Sequence, residues 1–320
     1  MVLPDLDTQF FVPTLKGAKT NFKGSSLVLP QPSLGSLPQL ALDLYVHTFQ
    51  LELVGCAALR DTIPCVGGVD VVEGEQRQSV QGGFSWATQG PSLGAVQLVC
   101  GEVSRIDPVR ATPHPVYQTP SSASNGDSIT LLLPRAPIIQ ARKRHYFDAL
   151  TAWIRQSEFR DVLIVGAVDA AMRGDDGLRE TNPFRSIVLP IREGTDPSPL
   201  LERLSKSVRP YFKASDPSSK KTIPAIPHGG LTRSLLQHLS TSEDGASLPT
   251  VGALLVYTAE GENEALAKGL GDVVRSLIVG SDGSDLAGTG SGTEWKVPKS
   301  WKLGLMGDEL GSQRRSEMYG

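Results

Sequence analysis

The residues able to do chemistry are few and scattered. Ser85 stands in Gly83-Phe84-Ser85-Trp86-Ala87, one residue away from the G-x-S-x-G turn that presents a serine nucleophile. The last position is alanine and no periodic helix follows, so an alternating strand is the better reading. Cys56, Cys65 and Cys100 make no C-x-x-C pair, and His47, His114, His145, His228 and His238 sit at no zinc-ligand spacing. No metal site is expected from them. Gly269-Leu270-Gly271-Asp272-Val273-Val274 matches part of a dinucleotide fingerprint. It falls inside a predicted helix, where the fingerprint requires a strand-to-helix turn.

Two places are better positioned. Pro227-His228-Gly229-Gly230-Leu231-Thr232 precedes a predicted helix. Glycines there expose backbone N–H groups that can hold an anion. The plainer reading, a glycine turn that lets chain and helix approach closely, outweighs it. Asp169, Asp175 and Asp176, with Arg173 and Arg179, follow an apolar strand. The carboxyl end of a parallel strand is where α/β folds build sites. Acid–base catalysis needs two groups with separated pKa values, and no His or Lys is evidently supplied. A solvated, salt-bridged loop is favoured. With no complete catalytic set, the chain is expected to be non-enzymatic and to need no cofactor.

The elements that would position these residues follow from hydrophobic periodicity. Strands are predicted over residues 26–30, 53–59, 63–66, 93–100, 129–133, 161–168, 186–191 and 251–257. Hairpin strands are possible readings of residues 69–90. Helices are predicted over residues 37–49, 138–156, 199–208, 231–239 and 263–278. Ser36 is the expected N-cap of the first, with Pro38 in its opening turn. Its apolar face is a candidate partner surface. The continuous apolar run at 161–168 suits a strand buried on both faces of a parallel sheet. Strand 129–133, helix 138–156 and strand 161–168 form a βαβ pattern. The expected fold is α/β, a three-layer sheet with helices on both faces.

Residues 1–24 read as a flexible extension and 25–305 as one domain. Within it, 107–127 (rich in Pro, Ser and Thr) and 281–292 (Gly- and Ser-rich) read as flexible loops. Trp295, Val297 and Trp301 should dock back on the domain, and 306–320 should be a flexible tail. The net charge of −3 builds no field for nucleic acid or an anionic membrane. Three cysteines argue against a disulfide framework and for a reducing compartment. No signal peptide is read at the start, and no apolar run approaches the ~20 residues that span a bilayer. The expected location is the cytosol, with the nucleus open as a second compartment.

Four segments, in order, resemble the proteasome assembly chaperone 2 family. They are residues 35–44 with the following Val54-Gly55 and Ile63-Pro64-Cys65-Val66-Gly67; residues 162–168 with Thr181-Asn182-Pro183-Phe184-Arg185; residues 227–235; and residues 294–303, which carry Trp295 and Trp301. The tryptophan segment is the most specific. The resemblance implies a fold similar to nucleoside phosphorylase-like proteins without their active site. It implies a heterodimer with proteasome assembly chaperone 1 that scaffolds α-ring formation and caps the α-subunits of the immature core particle. Met318-Tyr319-Gly320 fits the hydrophobic–Tyr–any pattern of proteasome-binding tails. These are the expected partner-binding residues, docking in an α-subunit pocket. The competing reading is an enzyme of nucleoside phosphorylase or hydrolase type, suggested by that fold and by residues 228–232.

Overall fold

The computed structural model describes residues 10–13, 20–58, 60–63, 114–120, 128–173, 182–190, 198–212, 223–241, 248–261, 263–280 and 293–298. An eight-stranded mixed sheet carries them. Its strands are β1 (Phe11–Pro13), β2 (Ser26–Pro30), β3 (Glu52–Ala57), β4 (His114–Gln118), β5 (Ile129–Leu132), β6 (Asp161–Asp169), β7 (Phe184–Val188) and β8 (Thr250–Thr258), in the order β1-β3-β4-β5-β2-β6-β8-β7. The centre, β5-β2-β6-β8, is parallel; β4, β3 and β1 extend it antiparallel on one side and β7 on the other.

The helices are α1 (Leu37–Phe49), α2 (Lys143–Gln156), α3 (Pro199–Ser207), α4 (Thr232–Thr241) and α5 (Glu264–Val279). Side chains alternate across a strand, so each apolar central strand feeds two cores. In β6, Leu163, Val165 and Ala167 join the core under α1, α3 and α5, while Val162, Ile164 and Val168 join the core under α2 and α4. The three-layer α/β expectation is met. The predicted βαβ unit differs in one respect. β5 and β6 are not neighbours, because β2, from far upstream, is hydrogen-bonded between them.

Several expectations are corrected. Residues 107–127 are not an insertion devoid of secondary structure, since β4 lies within them, almost wholly buried between β3 and β5. Its Pro115 hides the strand signal. It gives the sheet a carbonyl, which accepts from Leu133 N at 3.0 Å, beside a register shift in β3. Residues 1–24 are not wholly a loose extension. β1 pairs with β3, and Phe10, Phe11 and Phe22 gather around Trp153 with ring centroids 5.5, 5.8 and 5.5 Å away. An aromatic cluster of this kind anchors a segment that has little periodicity of its own. Ser36 does not cap α1 through its side chain; it is left-handed at φ 49°. Cys56 is fully buried in β3 and disulfide-bonded, a bond that the cysteine count did not anticipate. The segments 63–66 (beyond Ile63), 69–90, 93–100, 281–292 and 306–320 also lie outside the described residues.

Candidate functional site

The parallel strands β5, β2, β6 and β8 end along one edge, and the segments that leave them are stitched together there. Gln31 N donates to Val165 O at 2.7 Å. Ser33 Oγ donates to Gln31 O at 3.0 Å and accepts from Ala167 N at 3.0 Å. Leu34 N donates to His228 O at 3.2 Å, and Asp169 N to Pro227 O at 3.4 Å. The loop before α4 is thereby held across the ends of β2 and β6.

Within that loop the glycines serve close packing. Gly230 has φ +59°, and a Cβ there would lie 1.9 Å from Pro32 O. A Cβ on Gly229 would lie 2.3 Å from the Ile226 side chain. Thr232, fully buried, donates from N and from Oγ1 to Gly229 O at 3.1 and 2.6 Å. It sits over Gly166 of β6, where a Cβ would meet Thr232 Oγ1 at 2.8 Å. The favoured reading of this motif, a tight turn, accounts for both glycines.

Asp169 does have a histidine partner. His228 Nδ1 lies 2.9 Å from Asp169 Oδ2, while Asp169 Oδ1 accepts from Ala171 N at 2.9 Å. Sequence reasoning missed the pair because its members are 59 positions apart. The available signal was that both residues flank the same strand edge. Arg173, placed beside Asp169 by the sequence, instead lies 5.2 Å from the Tyr257 ring centroid and donates to Asn182 O at 3.1 Å. Asp175, Asp176 and Arg179 lie outside the described residues.

A second set of charges fixes the start of α2. Asp61, 3% exposed, accepts from Arg142 Nε at 2.8 Å and lies 2.9 Å from His145 Nδ1, and its carbonyl accepts from Ile139 N at 2.8 Å. Nearby His114 is fully buried in β4, its Nε2 3.1 Å from Ala136 O. Burial pushes its pKa down to about 4, against the smaller opposing effects of that hydrogen bond and of Asp61. Its ring is neutral, and Nε2 carries the donated proton. Tyr146 beside it is pushed up, first by burial and then by the Asp61 charge.

The apolar face of α1 is not a partner surface. Leu37, Ala41, Leu44 and Tyr45 are buried in the chain's own core, against α5. The exposed large apolar residues, among those described, are Ile63, Met172, Val188 and Val279. Trp295 docks as expected, its Nε1 donating to Asp272 Oδ1 at 3.0 Å and its ring near Tyr45 and Phe49. Val297 packs beside it, and Trp301 lies outside the described residues. Met318, Tyr319 and Gly320, with Ser85, Cys65 and Cys100, lie there too. Among the described residues no three His, Cys, Asp or Glu side chains gather as a metal site would require, and no helix is long and apolar enough to cross a membrane.

No family model matches the chain. Curated proteins do. Proteasome assembly chaperone 2 of Danio rerio is 26% identical over 294 residues, 89% of this chain and 93% of that protein. The Homo sapiens protein of the same name is 25% identical over 312 residues, 94% of this chain and 98% of that protein. Among solved structures, Pyrococcus furiosus PbaA, an archaeal homolog of proteasome-assembly chaperone, aligns at 12% identity with a TM-score of 0.47, covering 94% of this chain and 99% of its own. Pyrococcus furiosus PbaB, an archaeal proteasome activator, aligns at 10% identity and a TM-score of 0.47, covering 88% and 93%.

Proposed function

We propose that this chain, a relative of the proteasome assembly chaperone 2 proteins along nearly their whole length, is itself a non-catalytic assembly chaperone of the proteasome core particle. The span of that similarity carries the reading, since it covers 89% of the chain against one relative and 94% against the other, far more than any single motif could. The glycine loop supports it, because Gly229 and Gly230 are spent on close backbone packing. In this reading the chain pairs one-to-one with proteasome assembly chaperone 1. The pair scaffolds the α-ring and caps it, in the cytosol and with the nucleus as a second compartment.

Met318, Tyr319 and Gly320 are the segment assigned to an α-subunit pocket. Burying the Tyr319 ring contributes ~2 kcal/mol, and a charge-assisted contact to a terminal carboxylate another ~2 kcal/mol. Their sum corresponds to only about millimolar affinity. The tail therefore acts together with the domain surface, through effective concentration. Affinity capture of the tagged chain, read by mass spectrometry, should recover proteasome α-subunits and the companion chaperone. Tyr319→Ala should weaken capture of core particles about tenfold to a thousandfold and leave the companion bound. Recovery of neither partner refutes the reading. Phosphorolysis of a nucleoside that is abolished by His228→Ala would replace it with the enzymatic one.

A further inference from the structure

A cavity of about 290 Å³ opens where β2 and β5 end, against the starts of α2 and α4. Gln31, Pro137, Ile138, Lys143, Tyr146 and Gly230 are among its lining residues. Gln31 is 2% exposed, and its Nε2 has no hydrogen-bond partner among the described residues. Its backbone N and O are both engaged, so the unpaired group is the side-chain Nε2. A buried donor with no partner carries a desolvation cost that folding does not recover. A ligand acceptor in the cavity would recover it.

The rest of the lining specifies that acceptor. Lys143 Nζ donates to Ser234 Oγ at 2.9 Å, which ties α2 to α4, and stands 5.7 Å from the Phe147 ring centroid; an ammonium has three N–H bonds, so one hydrogen bond leaves it capacity for a ligand. Gln140 and Lys143 stand at the start of α2, and Gly230 and Leu231 immediately precede α4. Two helices of 14 and 10 residues thus turn their positive ends to the same space. Among the described residues no carboxylate lines the cavity. The remaining walls are proline, alanine, isoleucine, leucine and the buried Tyr146. The volume sits at the small end of the range for ligand pockets.

We propose that this cavity binds a small organic anion, a carboxylate or a phosphate monoester on an apolar body, with Gln31 and Lys143 as its donors. The site is separate from the proteasome-binding role above. Binding here and capture of core particles are independent readouts, so failure of one leaves the other standing.

The test uses the full chain, with whatever companion co-purifies, titrated with phenyl phosphate, benzoate and the neutral benzyl alcohol. Calorimetry and thermal melting read the binding. One or both anions should bind with Kd near or below ~1 mM and raise Tm, and benzyl alcohol should do neither. The anion that binds more tightly identifies the head group. Gln31→Leu, nearly the same size, should weaken anion binding roughly tenfold or more. The free protein should melt at the same or a higher temperature, because the unpaired donor is gone. Lys143→Met should weaken binding by a similar factor. The proposal is overturned if neither anion binds up to ~10 mM, or if all three compounds bind alike. It is equally overturned if both variants bind the anions as the parent does.

Discussion

The Trp295 segment gives a test whose sign changes with context. The six-membered edge of the Trp295 ring lies so near α5 that a Cβ on Gly271 would be 2.9 Å from two of its carbons. The ring is 9% exposed, its centroid is 6.2 Å from that of Tyr45 and 5.9 Å from that of Phe49, and Lys296 N donates to Thr48 Oγ1 at 3.0 Å. In Gly271→Ala the new methyl must displace the ring. Overpacking of that kind costs ~2 kcal/mol, within a range of about 1–3, whereas alanine gains ~1 kcal/mol over glycine in a helix interior. The net is destabilisation by ~1 kcal/mol. In Trp295→Ala, itself destabilised by ~3 kcal/mol or more, the obstruction is gone. There the same Gly271→Ala change should stabilise by ~1 kcal/mol. The coupling between the two positions is therefore ~2 kcal/mol. Urea unfolding of the parent, both single variants and the double variant measures it. If Gly271→Ala stabilises the parent as much as it stabilises Trp295→Ala, the ring is not seated on α5 and the geometry argued here is wrong.

Two other predictions rest on single residues. Gly230→Ala should destabilise by at least ~2 kcal/mol, because it combines a left-handed backbone angle with a backbone oxygen 1.9 Å from the new Cβ. Gly269→Ala, in α5 with no described atom within 4 Å of the new Cβ, should instead stabilise by ~1 kcal/mol; thermal melts compare the two. His114 has a folded pKa depressed to about 4 from its ordinary 6.5. Well above pH 6.5 it is neutral in both states and adds no pH dependence. Below that the unfolded chain takes up a proton that the folded chain refuses, so stability falls as pH falls toward 4 and then levels. Between pH 7 and 5 this is a loss of ~2 kcal/mol, which should be missing from the pH profile of His114→Gln. A His114 ring that titrates near pH 6.5 by NMR in the folded protein would defeat the prediction.

The central sheet was legible because its strands announce themselves. Residues 161–169 and 250–258 are apolar on both faces, as a strand covered by two helical layers must be. Their helices carry a 3.6-residue stripe. The edge of the sheet was not legible, for two distinct reasons. β1 has only Phe11, Val12 and Pro13, too few residues for any period to show. It is held by Phe10 and Phe11 against Trp153, which lies across the sheet sequence and not beside it. β4 was masked by Pro115, which local propensity counts against a strand although the sheet uses its carbonyl.

The site divides the same way. A glycine that must avoid a clash is readable from type and position, so residues 229–230 read as a turn from sequence and form one in the structure. A pair such as Asp169 and His228 is not, because local spacing offered Arg173 first, and Arg173 is taken by Tyr257 and Asn182. Gln31 is the extreme case. A single glutamine after a short strand has no pattern and no motif. It acquires meaning only because β2 lies between β5 and β6, which brings the turn after β2 beside the starts of α2 and α4. That placement joins residue 31 to residues more than a hundred positions away. Chain order gives no hint of it. The chemistry that the sequence hides best is therefore located where the topology departs from the simple βαβ succession.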